Sequence, residues 1–206
     1  MGADFAVDSL HRIGSGKLAF KGTVGKAKPR LSEGELYNYA VKALGRHMRS
    51  EAELRRLIRE RAEFGESGEA AVSAVVAKLK EQHYLDDQNY AETYARLRQE
   101  NEKLGARRVR RDLAQKGLKA ELIEETVEAR YGETNEEGLA RQHLERKRIR
   151  KPENEREIAR VVRRLVAAGF STGVIYKILR QWDVPEERLA GIESAGEESF
   201  IDEGEA

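Results

Sequence analysis

A block of apolar residues around one glycine recurs 52 positions further along this chain. Leu113, Gly117 and Leu118 are matched by Leu165, Gly169 and Phe170. In the same register Val109 meets Val161, Leu122 meets Val174, Ile123 meets Ile175 and Val127 meets Leu179. Seven agreements in one register imply tandem copies of one helical unit. Such a unit cannot bury its apolar face alone, so neighbouring copies must stack. Stacks of this kind generally offer a face to another macromolecule and rarely enclose a single catalytic pocket.

The periodicity predicts an all-α chain of three tandem three-helix repeats. They stack into an elongated, curved, solenoid-like body with a continuous core. An irregular N-terminal arm (1–31) and an acidic C-terminal tail (186–206) flank it. The repeats are 32–85, 86–132 and 133–185. In the first, Leu36, Tyr39, Ala40, Ala43 and Leu44 recur at helical spacing. Ser50 with Glu53 forms a capping box ahead of Leu54, Leu57 and Ile58. A third helix over about 69–82 turns Val72, Val75, Val76 and Leu79 inward. The second repeat opens at Leu85-Asp86-Asp87, with Asp86 as N-cap and Leu85 and Tyr90 placed as a hydrophobic staple. Gly105 separates its first helix from a second, in which Ala106, Val109 and Leu113 face inward. Gly117 and Gly169 are expected at left-handed Schellman stops, where Leu113 touches Leu118 and Leu165 touches Phe170. Thr134 with Glu137 is read as another capping box. The third repeat then has helices over about 135–150, 153–168 and 172–182. Trp182 closes the core there, the alternative being an exposed anchor for a partner. Across the three repeats Leu54/Val109/Val161 and Ile58/Leu113/Leu165 are equivalent.

Composition narrows the function. Of 206 residues, 36% are charged and only 6% aromatic, as in helix-rich soluble proteins. No run approaches the ~20 apolar residues that span a bilayer, and no secretory signal is expected from the opening residues. The chain has no cysteine, which fits a reducing cytoplasm. The near-zero net charge conceals a basic arm, with Arg12, Lys17, Lys21, Lys26, Lys28 and Arg30, and an acidic segment over 189–206.

Catalytic and cofactor motifs do not emerge. Gly14-Ser15-Gly16-Lys17 and Gly22-Thr23-Val24-Gly25-Lys26 resemble phosphate loops. Each lacks the upstream glycine and the following Ser or Thr of a Walker loop. His11, His47, His83 and His143 have no partner at metal-ligand spacing. Neither an enzyme nor a cofactor site is expected.

Arginine is more suggestive. Arg55-Arg56, Arg107-Arg108, Arg110-Arg111 and Arg163-Arg164 all fall on middle helices, with Arg160 and Lys116 beside them. Arg56, Arg111 and Arg163 occupy one equivalent position, so stacking would align them as a stripe. Guanidinium groups make bidentate bonds to phosphates and carboxylates. Arg107, Arg108, Arg110 and Arg111 are expected to point outward, because Ala106, Val109 and Leu113 fill the inward positions. Two readings stand at this point: a binding stripe, or solvated faces paired locally with Glu53, Glu60, Asp112 and Glu157.

Leu85-Asp86-Asp87 with Tyr90-Ala91, Gly105 with Arg108-Val109 and Leu113, and Lys116-Gly117-Leu118 together resemble the RecX family of RecA modulators. Ser50 with Glu53-Leu54 and Ile58 matches that family's first unit. The resemblance covers about 34–182. It departs at Ala62, where the family tends to have glycine, and in a lengthened segment over 64–68. It implies a non-enzymatic, monomeric, cytoplasmic regulator. Such a protein would bind the RecA filament on single-stranded DNA and restrain its growth, ATP hydrolysis, strand exchange and co-protease action. Asp86-Asp87 is read as a folding feature. The rival readings are a direct DNA-binding module and a scaffold for another protein.

Overall fold

The computed structural model describes residues 29–185. Their regular elements are nine α-helices. α1 (Glu33–Leu44), α2 (Glu51–Arg59) and α3 (Glu66–Glu81) pack on one another as a first unit. α4 (Asp87–Glu102), α5 (Ala106–Gln115) and α6 (Ala120–Tyr131) form a second. α7 (Glu136–Arg146), α8 (Glu155–Ala167) and α9 (Thr172–Gln181) form a third. The predicted arm up to residue 28 and the tail over 186–206 lie outside the described residues. So do the phosphate-loop look-alikes and His11.

Local sequence explains where the helices start. Ser50 accepts from the Glu53 amide while the Glu53 carboxylate reaches back to Ser50, the expected capping box. Asp86 accepts from Asn89 N–H at 3.0 Å, as predicted. The third unit corrects the prediction. The cap of α7 is Asn135, which accepts from Gly138 N–H at 3.0 Å. Thr134 instead donates to Arg130 O and accepts from Gln99 Nε2. Asn is the stronger cap and stands one residue closer to the helix. Glu137 is thereby released to hold α7 to α9 through Lys177 and Gln181, which keep its carboxyl well below the usual range.

The stops at Gly117 and Gly169 are Schellman motifs, with φ of +80° and +91°. Leu118 N–H donates to Leu113 O and Phe170 N–H to Leu165 O, while each glycine amide bonds three residues back. The same bond pair ends α3, α7 and α9 with His83, Arg148 and Asp183 in the left-handed position. None of these three is glycine, so residue type does not announce the stop. Unit one differs again. Ala62, at the position of the two glycines, continues right-handed and donates to Ile58 O.

All six equivalent positions, Leu54/Val109/Val161 and Ile58/Leu113/Leu165, are buried. The core is not continuous, however. Each unit encloses its own cluster, and only the partly buried Leu104 and Tyr131 pack against both the second and third. Leu85 enters the first core and Tyr90 the second, so the predicted staple is not made. Trp182 packs against the third core, as predicted.

Candidate interaction surface

The units meet through the ends of their middle helices, not through side-chain layers. Ser50, fully buried at the start of α2, donates its hydroxyl to Lys116 O at the end of α5, at 2.6 Å. Gly105, at the start of α5, donates its N–H to Ala168 O at the end of α8, at 2.9 Å. Lys116 and Ala168 are equivalent in the repeat register. Their counterpart in unit one is Arg61, whose carbonyl accepts Leu31 N–H at 2.8 Å. Arg30 adds bonds from Nη1 to Glu60 O and Ala62 O. One carbonyl per unit therefore takes a donor from the preceding segment. In both inter-unit joints the negative end of one middle helix faces the positive end of the preceding one, a favourable dipole arrangement.

Side chains reinforce these joints. Lys116 Nζ lies 2.6 Å from Glu53 Oε1, and Asp87 Oδ1 accepts from Glu51 N–H at 2.7 Å. Asp87 thus links units one and two, a role its sequence context did not signal. A Cβ at Gly117 would lie 2.5 Å from Ala52 Cβ, and one at Gly169 only 2.2 Å from Arg108 N. His143 of α7 is buried, with Nδ1 3.1 Å from Glu102 O and its ring edge-on to Phe170. Burial lowers its pKa, against the opposing pull of that carbonyl.

The ten cationic candidates divide into two groups. Arg55 pairs with Glu51, Arg110 with Glu124 and Lys116 with Glu53. Arg108 stays partly exposed but is not free: it pairs with Asp112, 2.8 Å away and itself buried, and reaches Ala167 O across the second joint. Asp112 also accepts from Tyr94 OH. Arg56, Arg107, Arg111, Arg160, Arg163 and Arg164 are exposed. None of these six has an ion-pair partner among the described residues. They lie on α2, α5 and α8, the helices whose ends form the joints. Sequence reasoning missed the exposed cations Arg146, Lys147, Arg148 and Arg150 in the α7–α8 connection, although they form a visible run.

Among the described residues no group of three or more His, Asp or Glu side chains is placed to hold a metal ion. None of the described helices is long and apolar enough to cross a membrane. Leu85, Asp86, Asp87, Tyr90, Gly105, Leu113, Gly117 and Leu118, which carried the family resemblance, all serve caps, stops, cores or joints.

Residues 86–127 match the family model described as RecX, second three-helix domain. The Regulatory protein RecX of Oceanobacillus iheyensis is 26% identical over 154 residues, covering 73% of this chain and 54% of that protein. That of Caldanaerobacter subterraneus subsp. tengcongensis is 29% identical over 145 residues, covering 70% and 69%. The chain thus spans little more than half of the first relative's length. The crystal structure of RecX from Lactobacillus salivarius superposes with a TM-score of 0.58 at 22% identity, over 73% of this chain and 96% of that one. The resemblance to the RecX regulatory proteins holds in sequence, and the all-helical architecture holds in fold.

Proposed function

We propose that this chain is a non-enzymatic regulator of the RecA recombinase, acting on its filament on single-stranded DNA. The observation that carries the reading is the set of six exposed arginines on α2, α5 and α8 that have no ion-pair partner among the described residues. An exposed guanidinium without a local carboxylate keeps its bidentate capacity for a partner. Three such helices, joined end to end, offer that capacity in repeat. A filament of identical subunits is a partner that repeats as well. Binding along it would inhibit or modulate extension, ATP hydrolysis, strand exchange and co-protease action. One bound chain would affect many subunits by interrupting growth, so inhibition is expected below stoichiometric amounts.

The same arginines suit phosphodiesters, so the competing reading is direct DNA binding. The proposal assigns them mainly to recombinase carboxylates, with weak DNA binding as a side property. The deciding experiment is the ATPase of the recombinase on single-stranded DNA with increasing amounts of this chain. No change at any ratio removes the proposal. Binding to free DNA that is tight, and weakens steeply with salt through counterion release, favours the competing reading.

A further inference from the structure

Charge is distributed unevenly among the units. Residues 32–85 carry nine Lys/Arg against nine Asp/Glu, and residues 86–132 carry ten against ten. Residues 133–185 carry twelve against eight. Several of those eight acids are already engaged. Glu137 faces Arg141 and Lys177, Asp183 faces Lys151, and Glu136 holds Ser171. On α8, Arg160, Arg163 and Arg164 stand three and four residues apart, a spacing at which like charges repel. All three are exposed, with no ion-pair partner among the described residues. No carboxylate among residues 29–185 pairs with them.

The chain contains a segment of matching sign. Residues 189–206 hold Glu193, Glu197, Glu198, Asp202, Glu203 and Glu205 and no Lys or Arg. The segment follows closely on Pro185, directly after the third unit. α8 is about 20 Å long at 1.5 Å per residue. The eight residues from Pro185 to Glu193 span up to about 27 Å, and the stretch to Glu205 more than twice that. Every part of α8 is within reach. Residues 1–31 have the same sign as α8 and would be repelled, and the first two units are electrically balanced. A tethered segment also acts at an effective concentration on the order of millimolar, which a second copy does not approach in dilute solution.

We propose that residues 189–206 dock on Arg160, Arg163 and Arg164, where they compete with any outside acidic or phosphate-bearing partner. The docking itself is independent of the function proposed above; only its consequence, a raised threshold for filament binding, rests on that reading.

The chain lacks cysteine, so Ser199→Cys gives a single attachment point for a nitroxide on the full-length protein. At low salt the spin label is expected to broaden the amide signals of α8 selectively. The broadening should vanish at about 0.5 M salt, where screening is nearly complete beyond a few ångströms. It should vanish also when the six acids become Gln or Asn, and when Arg160, Arg163 and Arg164 become Gln in a chain of unchanged helicity. Absence of broadening on α8 overturns the proposal. So does broadening that survives the arginine replacements, or that falls on residues 1–31 instead. In the recombinase assay the six-acid variant should inhibit at about three- to tenfold lower concentration, because a site freed from its competitor gains affinity in proportion. Positive broadening with no effect of any variant on the filament leaves the docking standing and removes the arginine route to the filament.

Discussion

Replacing Gly105 by Ala isolates the second joint. Gly105 has φ −78° and ψ 162°, a conformation open to any residue, so no backbone strain enters. The added Cβ would lie 2.4 Å from Gly169 O and 2.6 Å from Gly169 C. Both are backbone atoms of a left-handed stop, which cannot yield without losing its own bonds. Relief to ordinary contact requires about 1 Å of separation. That stretches the 2.9 Å bond from Gly105 N–H to Ala168 O beyond hydrogen-bond range. Its loss costs about 0.5–1.5 kcal/mol, and the overpacking about 1–3 kcal/mol. A total of about 2–4 kcal/mol should fall on the joint, since the cores on either side are separate. Hydrogen exchange should therefore rise at 104–108 and 166–170, while Val109, Leu113 and Leu165 stay protected and helix content is kept. Gly34→Ala is the control. A Cβ there meets nothing within 4 Å, and the change should be neutral or slightly stabilising. If Gly105→Ala exchanges and melts like the parent, end-to-end docking of α5 on α8 is wrong.

Three further expectations follow from the same geometry. Gly117→Val should lower the melting temperature, because φ of +80° and the nearby Ala52 Cβ both oppose it, with about 1–3 kcal/mol from strain alone; an unchanged melt would contradict the left-handed stop. Arg108→Ala strands the buried Asp112 carboxylate and should cost about 1–3 kcal/mol, whereas Arg111→Ala should stay within about 0.5 kcal/mol yet weaken filament binding when combined with Arg107→Ala. Burial lowers the pKa of His143 in the folded chain, while the unfolded chain titrates near its ordinary value of about 6.5. As pH falls through that value the unfolded state takes up the proton before the folded state does, so stability should decline below about pH 6.5 and be level above it. Urea melts of the parent and of His143→Gln across this range should differ in slope, and parallel curves would exclude the effect.

Period and capping chemistry are local, and where structure depended on them the sequence was legible. Leu54, Ile58, Val109, Leu113, Val161 and Leu165 were placed inward by spacing alone, and Ser50, Asp86, Gly117 and Gly169 by the backbone groups they satisfy. What escaped depends on the approach of one unit to another. Nothing local marks His83, Arg148 and Asp183 as left-handed, since the surrounding packing imposes a conformation that their side chains only tolerate. Whereas the pair of Arg108 with Asp112, four residues along the same helix, is among the local pairings expected from sequence, its bond to Ala167 O depends on a joint with α8 some sixty residues away. The same holds for Asp87, whose neighbours suggested a helix start and whose carboxylate serves the preceding unit. Of the candidate surface, the sequence placed the arginines on the middle helices but did not show which of them lack an ion-pair partner among the described residues.

The acceptor carbonyls of Arg61, Lys116 and Ala168 are met by three unlike donors: the amide of Leu31, the hydroxyl of Ser50 and the amide of Gly105. A carbonyl is common to all twenty residues, and its direction here is set by the end of a helix. The opposing position needs only one proton donor within reach, and two of the three come from the main chain. The acceptor's side chain is free to vary, as Arg61, Lys116 and Ala168 show, while the donor side tolerates less where Gly105 makes the close approach. Architecture of this kind also grows easily. A duplicated unit arrives with both halves of its joint already present, a helix start that donates and a helix end that accepts, and no new interface has to evolve before the copy can stack.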